Sequence, residues 1–276
     1  MTTNKPSPPL HFLVPIYPGF QLLDLAGPLD ILNDLTTQPS APAITLTFIS
    51  DTLDPVHVKP IPPPSASWTF ALTTDNYQDP SNINFNFSQT FTPKTTYSTF
   101  LADPQQVDVL LIPGGHGSRL ERIQADGTHT SNVQELMEFI PKIAPQIRHS
   151  IITVCTGSYI LSNTGLLNSR RATTNMTRFD KVAASNPKVK WQTAARWVKS
   201  VPSELDHDEV AAQPASNIEI WTSAGISAGM DVTLAFIAEY YGGIEMARRI
   251  ARMLEYDWRE IGEGERDPLY GNVDVE

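Results

Sequence analysis

The chain has 276 residues, with 20 Lys plus Arg against 30 Asp plus Glu and a formal net charge of −10. That balance gives poor long-range attraction for nucleic acid or anionic lipid, and no clustered basic stripe offsets it. Apolar residues at 41% and charged residues at 18% suit a soluble globular chain with a real core, and no run approaches the roughly 18 apolar residues of a membrane helix. The opening MTTNKPSPPLHFLV has no apolar h-region, so no signal peptide is expected. One cysteine excludes an internal disulfide and suits a reducing, cytoplasmic compartment.

Residues 1–10 read as a flexible, Pro-rich tail. HFLVPIY (11–17) is an apolar strand that ends at Pro18-Gly19. Leu22, Leu23, Leu25, Leu29, Ile31 and Leu32 then recur at helical spacing. ITLTFIS (44–50) is a second strand. Residues 56–94 are rich in Pro, Asn, Ser and Thr, and read as strands interrupted by a long surface excursion. VDVLLIPGG (107–115) is a buried strand entering a glycine turn. Val133, Leu136, Met137, Phe139 and Ile140 mark a helix. SIITVCTG (150–157) is another strand, followed by a helix over 158–167. Residues 172–184 lead from a strand end into a helix. IEIWTSAG (218–225) precedes a long apolar helix over 227–241, and an amphipathic helix spans 244–256. Residues 259–276 form a charged tail. Apolar strands alternating with helices predict an α/β fold with a mostly parallel sheet covered on both faces, in one domain over 11–258.

In such sheets ligands bind beyond the carboxyl ends of the strands. Three segments end strands there: Pro113-Gly114-Gly115-His116-Gly117, Cys155-Thr156-Gly157-Ser158 and Ser223-Ala224-Gly225. Cys155 sits between a strand and a helix, where helix N–H groups lower a thiol pKa and turn N–H groups hold an oxyanion. A lone cysteine also packs as a small buried apolar residue. Asp24 is a candidate acid/base partner, and equally an N-cap or surface Asp. Asp30, further along that helix, reads as a solvated face. Gly114 and Gly115 either admit a ligand close to the backbone or simply make a tight turn. Their spacing fits neither a dinucleotide loop nor a phosphate-binding loop. His116 is a possible base in the pocket. The other histidines have no ligand spacing, so no metal site is expected.

LLDLAGPLDIL (22–32), DVLLIPGGHG (108–117), VCTGSYILSNTGLLNSRRATTN (154–175) and TSAGISAGMDVTLAF (222–236), in this order, resemble the DJ-1/PfpI superfamily. Within it they look most like isocyanide hydratases and the glutaminase-like domains of AraC-type regulators. The resemblance spans roughly 12–256, apart from insertions near 56–94 and 202–217. It implies a flavodoxin-like three-layer sandwich, a homodimer and a cofactor-free reaction on a small molecule. It makes Cys155, followed by Thr156 as in isocyanide hydratases, the nucleophile and Asp24 the carboxylate partner. It assigns the oxyanion site to the Gly115 and Thr156 amides beside Gly114, and the helix start containing Gly225 and Ile226 to packing against the cysteine.

Two departures stand out. Relatives read Ala-Thr-Thr-His-Trp where this chain has Ala172-Thr173-Thr174-Asn175-Met176. Asn175 is therefore a pocket residue able to hydrogen-bond but not to shuttle protons. The insertions are expected to reshape the pocket mouth for a different, bulkier substrate. Too little sequence follows the last helix for the helix-turn-helix of the regulators. The expected activity is a hydratase or lyase converting isocyanide to formamide. The alternatives are a glyoxalase-like or tailoring enzyme using the same pair, and a non-enzymatic redox-sensing dimer. A protease is disfavoured because no triad histidine is evident.

Overall fold

The computed structural model describes residues 7–73, 79–205 and 217–270. Most of the expected insertion near 202–217 lies outside these described residues.

The most apolar runs form the middle of the main sheet. The seven strands are β1 (His11–Pro15), β2 (Thr45–Ser50), β3 (Thr95–Thr96), β4 (Val107–Ile112), β5 (Ile147–Val154), β6 (Trp197–Ser200) and β7 (Glu219–Ser223). Their order is β6-β7-β5-β4-β1-β2-β3. All pairs are parallel except β6 with β7. The register sets Leu13 against Leu110, and Leu110 against Ile151. Every residue of β4 is buried, as a central strand covered on both faces requires.

Helices cover both faces. On one lie α1 (Leu22–Thr36), α6 (Ala228–Tyr240) and α7 (Ile244–Met253); on the other lie α2 (Tyr97–Ala102), α3 (Gln134–Ile143) and α4 (Gly157–Asn163). A short α5 (Phe179–Ser185) follows α4. The result is the flavodoxin-like, mostly parallel α/β sandwich expected from the sequence. Phe12, Val14, Leu25, Ile31, Phe236 and Ile250 are part of the core shared by the sheet and the first helical layer.

Boundaries shift where turns compete with periodicity. The helix expected over 158–167 stops at Asn163, and Gly165 then adopts φ +81°. The excursion over 56–94 contributes short strands at Val56–His57, Thr69–Ala71 and Thr90–Phe91. The strand Thr69–Ala71 pairs with a hairpin at Glu121–Ile123 and His129–Ser131, which the sequence reading did not place.

The charged tail is held down over its described part. Residues 261–267 run along 194–197, bonded through Trp197 Nε1 to Ile261 O (2.9 Å) and Asp267 N to Ala194 O (2.8 Å). Asp267 is 0% exposed and sits 2.8 Å from Arg196, which also meets buried Asp231 at 2.6 Å. Its charge is spent on a buried partner, a use that composition does not reveal. Arg196 thus joins this segment to α6, close behind the β7 end. Arg196→Met leaves buried Asp231 without its cation and Asp267 with Arg259 alone, and should cost about 3–5 kcal/mol. Urea denaturation at pH 7 measures it, and an unchanged midpoint contradicts the role.

Candidate active site

The carboxyl ends of β4, β5 and β7 and the first turn of α1 converge at one edge of the sheet. Cys155 follows β5 directly. Its backbone is left-handed, φ 57°, a conformation that costs an L-residue roughly 1–2 kcal/mol. Hydrogen bonds hold it there. The Cys155 amide bonds to Ser223 O and Ala224 O, both at 3.2 Å. Its carbonyl accepts from Ser158 Oγ (3.0 Å) and Thr174 Oγ1 (3.2 Å). Strain fixed in this way turns the side chain off the strand line towards the helix that follows.

Three donors meet the sulfur. Asn175 Nδ2 donates at 3.2 Å, and the backbone N–H groups of Thr156 and Ile226 also reach it. Gly225 makes room for this: a Cβ there would lie 2.4 Å from Asn175 Nδ2. Asn175 in turn is fixed through Oδ1, which accepts from Thr177 N (3.0 Å) and Thr177 Oγ1 (2.6 Å).

Asp24 is neither an N-cap nor a surface residue. It is 0% exposed in the first turn of α1, and its Oδ2 accepts from Gly114 N at 3.0 Å. Oδ1 makes no hydrogen bond of ordinary length among the described residues, and the Cys155 thiol is its polar neighbour. Gly114 permits the approach, since a Cβ there would lie 2.9 Å from Oδ2 and 2.5 Å from Thr156 N. Asp30, by contrast, is exposed.

Electrostatics departs from the sequence expectation. Burial raises the Asp24 pKa to about 7, against the pull of Gly114 N–H and the thiol. Burial and then the Asp24 charge push Cys155 up to about 12, and the three donors recover only part of this. The lowered thiol pKa expected from a helix N-terminus does not result, because the dry site and the adjacent carboxylate outweigh it. The pair therefore holds one proton more readily than it holds two negative charges.

The oxyanion expectation also changes. Gly115 N donates to Thr156 Oγ1 at 3.0 Å, so this amide is already in use. Ser118 Oγ lies 2.7 Å from Gly115 O and 2.9 Å from Thr156 Oγ1. The Thr156 hydroxyl is buried and must be satisfied, and the glycine turn supplies the donor.

Cys155, Thr156, Asn175, Ile226, Gly115 and His116 line one cavity of about 170 Å³. A second cavity of about 650 Å³ shares Gln21 and His116 with it. Its far wall is the excursion, through Val58, Lys59, Pro60 and residues from Asp79 to Gln89. His116 is exposed. Loss of solvent on its pocket side, with Arg119, Arg178 and Lys59 around it, lowers its pKa to about 4. It is neutral at pH 7. Among the described residues no three His, Cys, Asp or Glu side chains are grouped to hold a metal ion.

The sequence reading missed several lining groups. Tyr17 is buried below the pair and donates to Pro113 O at 2.8 Å. Gln21, Arg119 and Arg178 line the small cavity. Each adjoins a motif that was read, so proximity to it was the available signal. Tyr270 was not legible at all: it packs with Met176, Ala224 and Ala228 only because the C-terminal segment folds back.

The model of the DJ-1/PfpI family matches residues 77–239. The isonitrile hydratase of Pseudomonas putida is 25% identical over 241 residues, covering 87% of this chain and 76% of that protein. A THiJ/PfpI family protein from Pseudomonas syringae superposes with TM-score 0.56 at 20% identity, over 98% of this chain and 82% of that one. An AraC family transcriptional regulator from Pseudomonas putida gives 0.57 at 13% identity, over 89% and 100%. Drosophila melanogaster DJ-1beta gives 0.52 at 16% identity, over 91% and 100%. At these identities the structural matches speak for the fold.

The coupling has two measurable consequences. Asp24 titrates near 4 when unfolded and at about 7 when folded. Its contribution to stability is complete below about 4 and lost as pH rises through about 7. Asp24→Asn keeps an acceptor for Gly114 N–H without the charge. Its stability relative to the native chain should therefore grow between pH 5 and pH 8, by about 2.5 kcal/mol. A constant difference in urea melts contradicts this. The same substitution removes the charge raising the thiol pKa, so iodoacetamide should label it faster than the native protein at pH 8. Equal labelling rates contradict the coupling.

Proposed function

This chain belongs to the DJ-1/PfpI family, and we propose that it is a cofactor-free, cysteine-dependent hydratase that adds water to an isocyanide to give an N-substituted formamide. The observation that carries this reading is the buried Asp24 carboxyl beside Cys155, with Asn175 rather than a histidine donating to the sulfur. An isocyanide carbon must receive both the nucleophile and a proton. A thiol and a carboxyl side by side deliver both to one atom. A carbonyl substrate would instead need donors at its oxygen, and Gly115 N–H is already engaged. The 25% identity to isonitrile hydratase agrees with this choice.

The steps balance without a cofactor. As the Cys155 sulfur bonds to the terminal carbon, Asp24 takes the thiol proton and passes it to that same carbon. The product is a thioimidate, S–CH=N–R. Asp24, again ionised, draws a proton from water as its oxygen adds to the carbon. The C–S bond breaks, nitrogen keeps one hydrogen of the water, and sulfur regains the other. The formamide leaves with the pair restored. An Asp24 pKa of about 7 suits a group that must take and give a proton near neutrality. Asn175 and the Thr156 and Ile226 amides hold the sulfur while it carries charge.

Burial and a thiol pKa of about 12 speak against a redox sensor, which needs an accessible thiolate. The chain acts as one domain in which described residues of 56–94 wall the substrate cavity, and as a homodimer in a reducing compartment. Sedimentation analysis tests the dimer.

Incubation with a small aryl isocyanide, followed by chromatography of the formamide, tests the activity. Native protein should turn over. Cys155→Ala should be inactive, and Asp24→Asn should lose about 10²–10⁴ in kcat. No formamide from native protein, with Cys155 still alkylated, would sink the isocyanide reading and turn the search to α-oxoaldehydes at the same pair.

A further inference from the structure

The mouth of the site runs against the charge of the chain. The protein is acidic overall, at −10, yet cations gather where the two cavities meet. Arg119 and Arg178 line the small cavity beside Cys155, and Lys59 lines the large one. All three lie within electrostatic reach of His116, which both cavities share.

Two described acids nearby are committed elsewhere. Asp79 lines the large cavity, but its carboxylate accepts from Ser81 N (2.9 Å), Ser81 Oγ (2.6 Å) and Asn82 Nδ2 (2.9 Å). Asp24 lies behind Cys155, bonded to Gly114. Among the described residues neither Lys59 nor Arg178 has a carboxylate within ion-pair distance, whereas Arg122, Arg171, Arg196 and Arg248 all do. Lys59 and Arg178, turned into the cavities without such a partner among the described residues, attract an anion. Guanidinium groups are suited to a planar carboxylate, which they meet with paired hydrogen bonds.

We propose that the substrate carries a carboxylate, bound at the junction of the two cavities by Arg178, Arg119 and Lys59, with its reacting carbon at Cys155. Phe20, Val58, Ile83 and Phe87 give the large cavity an apolar lining for the rest of the molecule. The ligand is thus an organic acid with an apolar body. Its reacting group rests on the hydratase reading; its anionic group does not.

The test separates the two. The probes are 4-formamidobenzoate and its methyl ester, which resemble products and need no chemistry at Cys155. In calorimetry the acid should bind the native protein about tenfold more tightly than the ester or better. About 0.5 M salt should narrow that gap. Arg178→Met and Lys59→Met should each reduce it, and Arg178→Lys should restore part of it, with circular dichroism reporting the fold of each variant. The bound acid should also raise the His116 pKa in imidazole NMR, and the ester should not. Equal affinities, a preference for the ester, or no binding of either at millimolar concentration overturns the proposal. A preference for the acid in a protein that hydrates no isocyanide keeps the anion site and removes only the hydratase reading. Formamide from a neutral isocyanide with no preference for the acid does the reverse.

Discussion

Asp24 and Cys155 occupy one buried site that tolerates a single negative charge, and much of the surrounding structure serves that constraint. Each group would be ordinary alone. A surface aspartate is fully ionised at pH 7, and an exposed thiol titrates near 8.5. Brought together out of water, they reach about 7 and about 12. The carboxyl becomes a group that exchanges protons at neutrality. The thiol becomes one that acts only when its proton has somewhere to go. Water exclusion also strengthens every remaining donor at the sulfur.

Holding the pair requires backbone that most side chains would obstruct. The left-handed Cys155 is kept by the bonds its amide donates to the β7 end and those its carbonyl accepts from Ser158 and Thr174. The bare face of Gly114 lets Asp24 and the Thr156 amide approach together, and Gly225 does the same for Asn175. Asn175 is stiffened by Thr177. Where relatives are expected to carry histidine, this chain has a fixed donor. Stability is given up here for chemistry, a common arrangement at functional sites.

Around this centre lies a second, larger cavity. Described residues of the 56–94 excursion wall a cavity several times larger than the one at the cysteine. At the join stand cations in an otherwise acidic protein. His116, the histidine that the sequence pointed to, stays neutral among them. It is better suited to hydrogen-bond a ligand than to serve as a base at pH 7.

The sequence determined the fold class because buried parallel strands must be nearly all apolar, and VDVLLI and SIITV are. It also pointed to the candidate site, because Cys155 and the glycine turns fall where strands give way to helices, at the edge where such sheets bind ligands. It did not determine the state of those residues. The thiol pKa depends on Asp24, which is 131 positions away in the chain and adjacent only after β1 and β5 share a sheet. Nor did it reveal that Gly115 N–H is spent on Thr156, that Asp267 neutralises Arg196, or that Lys59 meets Arg119 and Arg178 at His116. Periodicity and composition record what each segment does locally. Burial, charge coupling and the use of each donor belong to pairs of segments, and only the tertiary structure decides which segments meet.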